Sequence, residues 1–171
     1  MNIDSILGTL NRRKVNYLLI GGVNFLLRHE PVLTFDTDIW VEDSPENRAR
    51  LALALMDMGG EWGPTEKEWK PVSADPAWLE IQEIFCLTTR HGALDVFRSV
   101  KGLEGRFDEC MRGAVQSKTA TGVSYHGLSD RHMLVCQLAL DEKDRKPERI
   151  LALQAALEIE CAASKRRCDE I

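Results

Sequence analysis

The chain has 171 residues, of which 44% are apolar and 29% charged, and its 22 Lys and Arg against 27 Asp and Glu leave a formal net charge of −5. That length suits one domain with a real core, 1–171, and the mix excludes a disordered, fibrous or low-complexity chain. The acidic balance argues against holding nucleic acid by bulk charge.

The spacing of Ile3, Ile6, Leu7 and Leu10 predicts an amphipathic helix over residues 3–14. An apolar run over 15–20 stops at Gly21 and Gly22, and residues 23–29 read as a helix ended by Pro31. The pattern is strand, glycine turn, helix. Residues 35–41 alternate strictly, with Phe35, Thr37, Ile39 and Val41 on one side and Asp36, Asp38 and Trp40 on the other. Ser44 and Pro45 stand as N-cap and first residue of a helix with a buried stripe of Leu51, Leu55 and Met58, closed by Gly59 and Gly60. Residues 59–76 read as a loop. Trp62, Trp69 and, just beyond, Trp78 make it an ordered flap rather than a linker, either packed on the sheet or lining an acceptor cleft. Residues 81–89 and 93–97 predict a hairpin turning at 90–92.

A short helix over 104–112 and a short strand over 122–126 come next. Two helices within 129–163 then close the chain, the first capped by Ser129 and the second, after Pro147, carrying Ile150, Leu153, Leu157 and Cys161 on one face. The charged tail over 164–171 is expected to fray. Cys86, Cys110, Cys136, Cys161 and Cys168 are odd in number and without a paired motif, so they are expected as reduced thiols, mostly in the core. His29, His91, His126 and His132 show no ligand spacing and are expected at the surface or in turns. The longest apolar stretch, residues 17–23, is far short of the roughly 18 residues of a membrane span, so no membrane partner is expected. The start, Met1 to Asp4, has no basic export signal, and the expected location is cytoplasmic.

The chemistry concentrates in residues 18–42. Asp36 and Asp38 lie two apart on one strand, which projects both carboxylates from one face, close enough to share a cation. Two adjacent anions need compensation, and metal ions supply it; otherwise the pair is a solvated strand end. Asp95 sits between Leu94 and Val96, where an acid is costly to bury without a cationic partner unless the strand is an edge facing water. If its strand lies beside that of Asp36 and Asp38, three hard-oxygen ligands converge. Gly21 and Gly22, between strand and helix, allow either a phosphate contact at the helix start or simply a tight turn.

In order and spacing, the segments IGGVNFLL, LTFDTDIWV and GALDVF resemble the nucleotidyltransferase superfamily that includes DNA polymerase beta. The likeness is to its small bacterial members of the abortive-infection toxin type in particular. The segment LSDRHMLVCQLALDEKDRKPERILALQ is similar to their closing helix pair, so the resemblance spans most of the chain. It implies an α+β fold, a mixed β-sheet flanked by helices with a C-terminal helix pair packed on it. It implies a magnesium-dependent enzyme that moves a nucleoside monophosphate from a nucleoside triphosphate to a hydroxyl of a tRNA, a protein or a small molecule. A toxin–antitoxin role with a cognate antitoxin protein belongs to the same expectation.

Carried over, Asp36 and Asp38 hold two magnesium ions, and Asp95 holds the metal that activates the acceptor and takes its proton. Gly21, Gly22 and Thr34 contact the nucleotide. Two departures stand out: Val32 and Leu33 precede Thr34 where many relatives carry Arg, and Gln137 replaces a Lys. Both remove positive charge that would face the triphosphate, and Arg28, Arg131, Lys143 and Arg145 are the candidates to replace it. The alternative is a binding or regulatory module that keeps the fold without the reaction.

Overall fold

The computed structural model of the chain describes residues 1–169, with side chains described except at residue 66 and from 163 onward. Along the chain run α1 (Ile3–Arg12), β1 (Tyr17–Ile20), α2 (Gly21–Arg28), β2 (Asp36–Val41) and α3 (Pro45–Asp57). They are followed by β3 (Glu61–Trp62), β4 (Lys70–Pro71), β5 (Ile84–Thr89), β6 (Gly92–Phe97) and α4 (Phe107–Arg112). The last elements are β7 (Val115–Lys118), β8 (Ser124–Gly127), α5 (Asp130–Ala139) and α6 (Pro147–Asp169).

All eight strands form one sheet in the order β4-β3-β5-β6-β2-β1-β8-β7. It is mixed: β2 pairs with β6 and β1 with β8 in parallel, and the other neighbours are antiparallel. The strand alternation decides which face each side chain takes. Leu19, Ile39, Phe85, Leu87, Leu94 and Val96 point to one face and pack against α1 and α3 through Ile6, Leu10, Leu51 and Leu55. Leu18, Ile20 and Trp40 point to the other, where Phe25, Cys110, Met133 and Leu153 cover them. The α+β architecture with a C-terminal helix pair is therefore the one observed. The caps read from the sequence hold: the Ser44 hydroxyl accepts from the Asn47 N–H, and the Ser129 hydroxyl from that of His132.

Several expectations change. The second helix begins at Gly21 itself, so the two glycines are its first residues. Phe35 falls outside β2 and is 76% exposed, because the strand starts one residue later. The flap contributes β3 and β4 to one sheet edge, and β7 forms the other edge; neither was expected, since such short strands carry no alternation signal. Among the cysteines whose side chains are described, only Cys110 is buried, Cys136 is half-buried, and Cys86 and Cys161 are exposed, the last because α6 is packed only as far as Leu157. The Cys168 side chain lies outside the described side chains, and the backbone of the tail expected to fray runs on as helix through Asp169. His132 is buried, its ring bonded to the Ser129 hydroxyl, and His29 pairs with the buried Asp130. Among the described residues no helix is long and apolar enough to cross a membrane.

Candidate functional site

The three aspartates meet at the adjoining ends of β2 and β6. Parallel pairing places Asp38 opposite Asp95 and Asp36 opposite Ala93, so all three carboxylates share the face that Trp40 and Phe97 occupy further along. One oxygen from each lies within 4.8 Å of the others. Three anions so close disfavour their own ionisation. Burial, then the charges of Asp36 and Asp95, push the Asp38 carboxyl up to about 7, against smaller opposing effects from the Gly22 N–H and from Arg149. Burial also raises Asp95, opposed by a hydrogen bond that the Cys86 thiol donates to it. The donor set, hard carboxylate oxygens with unspent negative charge, fits magnesium.

The glycine turn is moulded around this cluster. Gly21 has φ of +65°, a conformation that strongly favours glycine, and a Cβ there would collide with the Asp38 carboxylate. The Gly22 N–H points to Asp38 Oδ2 at 3.4 Å, a long contact. A Cβ on Gly22 would meet Thr34 Oγ1 at 2.5 Å. Of the two glycines, Gly21 takes the positive φ, and Gly22 is needed for space instead. Thr34 donates to Asp36 Oδ1 at 3.1 Å, fixing that carboxylate, so the structure brings all six anticipated residues together.

None of the four anticipated cationic substitutes is the one found beside the glycine turn. Arg28 is committed to Asp130 at 2.7 Å, and Arg145 to the carbonyls of Leu138 and Leu140. Arg131 lines a separate groove with Arg28 and Asp130, and Lys143 is exposed on a 3-10 turn. The cation present is Arg149, in the first turn of α6. Its Nη2 lies 3.3 Å from the point a Cβ of residue 22 would occupy, and its guanidinium stands over the Phe25 ring at 5.7 Å. The available signal was its place four residues before the buried Leu153, hence on the packed face of α6. Beneath it lies a cavity of about 130 Å³ that also reaches Gly21, Asp38 and Gln137.

No protein-family model matches the sequence, and no curated protein matches it. Solved structures do match. The antibiotic-resistance factor ANT(2'')-Ia, in its solution structure, aligns over 99% of this chain and 96% of its own, with a TM-score of 0.51 and 15% identity. Its crystal structure in complex with adenylyl-2''-tobramycin aligns over 99% and 97%, with a TM-score of 0.53 and 13% identity. The lincosamide antibiotic adenylyltransferase LnuA, lincomycin-bound, aligns over 87% and 92%, with a TM-score of 0.50 and 17% identity. The chain has the nucleotidyltransferase fold.

Proposed function

We propose that the protein is a magnesium-dependent nucleotidyltransferase that moves a nucleoside monophosphate from a nucleoside triphosphate to a hydroxyl of a small molecule. The observation that carries this is the cluster of Asp36, Asp38 and Asp95 beside a glycine helix start covered by Arg149. Carboxylates that resist ionising together suit bound cations, and free N–H groups with a guanidinium suit phosphates. The cation at Arg149 supplies what Leu33 and Gln137 take away, and so favours an enzyme over an inactive module of the same fold.

Asp36, Asp38 and Asp95 would hold two magnesium ions, which when bound make the acceptor oxygen more acidic and neutralise charge on the phosphates. Thr34 keeps Asp36 oriented. The N–H groups of Gly21 and Gly22, with Arg149, hold the triphosphate. The acceptor oxygen forms a bond to the α-phosphorus as the bond to the β-phosphate oxygen breaks. The electron pair leaves on pyrophosphate, and the acceptor proton passes to the Asp95 carboxylate.

A small-molecule acceptor is favoured by the likeness to enzymes whose names specify antibiotics. A tRNA or protein acceptor, like a cognate antitoxin, gains no support from these neighbours. Isothermal titration with each of the four triphosphates in magnesium tests the reading. Metal-dependent binding of at least one is expected, and the absence of any at millimolar ligand would leave the binding or regulatory module.

A further inference from the structure

The transfer reading fills only one side of the acidic cluster. We propose that the acceptor binds on the opposite side, in the cleft between β5 and the flap, and that it is an uncharged, ring-bearing glycoside that stacks on Trp69. This rests on the transfer reading, because in-line displacement requires the acceptor to approach opposite the departing pyrophosphate. Register fixes the two sides: Ile20, Asp38, Asp95 and Cys86 form one row across β1, β2, β6 and β5. Gly21 and Arg149 lie at the β1 end, and the Cys86 thiol, bonded to Asp95, lies at the other.

At that thiol a cavity of about 370 Å³ opens, with Gln82, Ile84 and Cys86 on one side and Gly63, Thr65 and Trp69 on the other. The three tryptophans, alike in sequence, divide here. Trp62 and Trp78 stack on each other at 5.7 Å and each meets Phe85 edge-on at 5.3 Å, so both are committed to packing, although Trp62 also borders the cleft. Trp69 lines the cleft half-buried, and among the described residues no ring stacks on it. Ile84 opposite is 45% exposed. The flap holds its shape through the Thr65 hydroxyl, which donates to Glu68 at 2.7 Å, and through Gly63, where a Cβ would strike the Glu68 carbonyl.

The lining carries no Asp, Glu, Lys, Arg or His. Along this lining neither a polycation nor a polyanion would find an opposite charge to pair with, and the carboxylate at the inner end of the cleft, Asp95, is one of the three assigned to the metal. A flat aromatic face, an aliphatic wall and the Gln82 and Thr65 side chains match a sugar ring, apolar on its face and polar at its edge.

The test uses the full chain with magnesium and α-labelled triphosphate, offering phenyl and alkyl glycosides, an amino-sugar polycation and bulk tRNA as acceptors. Label is expected on the neutral glycosides. Trp69→Ala should raise the acceptor KM about tenfold and move the triphosphate KM less than twofold. Ile84→Gln, at an already exposed position, should do the same more weakly. Label only on the polycation or tRNA, no label despite intact triphosphate binding, or an unchanged acceptor KM in both variants would overturn the proposal. Failure of the wild type to bind any triphosphate would instead remove the transfer reading beneath it.

Discussion

Asp38→Asn separates the cost of the acidic cluster from its use. In the metal-free protein Asp38 titrates at about 7 against an ordinary 3.8. The folded state therefore holds its proton more tightly than the unfolded one, and stability falls as pH rises from about 4 to about 7. At roughly 1.4 kcal/mol per pH unit the rise corresponds to about 4 kcal/mol. Burial is the larger cause and an amide is also buried at some cost, so about half, ~2 kcal/mol, should be recovered by the neutral isostere. For a chain of this size that is a gain in Tm of about 4–8 °C.

Calorimetric melts in chelator should show the gain at pH 8 and little difference at pH 4, where both side chains are neutral. Adding magnesium at about a hundred times its dissociation constant should raise the wild type by about 2.7 kcal/mol, and the variant much less. Transfer should be lost, since an amide is a poor magnesium ligand. An equal Tm gain at both pH values, or a lower Tm at pH 8, would refute the electrostatic account, and full transfer activity would refute the role of the residue.

Arg149→Met should raise the triphosphate KM tenfold or more, as a charge-assisted contact worth about 1.5–3 kcal/mol is lost, and Arg149→Lys should restore part of it; steady-state kinetics distinguish the two. Gly21→Ala and Gly105→Ala place the same strain at two left-handed positions, φ +65° and +70°, but only Gly21 faces an obstacle, the Asp38 carboxylate. Gly105→Ala should cost about 1 kcal/mol in chemical denaturation, whereas Gly21→Ala should cost more and also weaken triphosphate binding in titration.

The parts of the site that were legible are those written in local periodicity. Strict alternation around Asp36 and Asp38 put both carboxylates on one face, and the acid between Leu94 and Val96 demanded a partner. The partner itself was not legible: Asp95 meets Asp38 through a parallel pairing across α3, the flap and β5, and nothing local encodes that register. Arg149 was hidden for another reason. Counted with Glu148 and its charged neighbours it looks like a solvated helix start, and only its phase with Leu153 marks it as inward-facing. The flap strands and β7 span two to four residues, too few to show a period.

Burial explains why the unencoded register is nonetheless unique. On β2, Ile39 and Val41 fill the cluster under α1 and α3, and Trp40 fills the cluster beneath α5 and α6. A slip of one residue would turn Asp38 into the first cluster and Ile39 out of it, exchanging a fully buried Ile for a carboxylate. A slip of two would preserve the facing but carry Asp38 to the level of Trp40, deep in the second cluster. On β6, Leu94 and Val96 impose the same choice on Asp95. The apolar residues that settle the sheet are thus interleaved one by one with the acids. The register that satisfies the core also brings Asp36, Asp38 and Asp95 together at the strand ends, and its electrostatic cost is set against the burial of both flanking clusters.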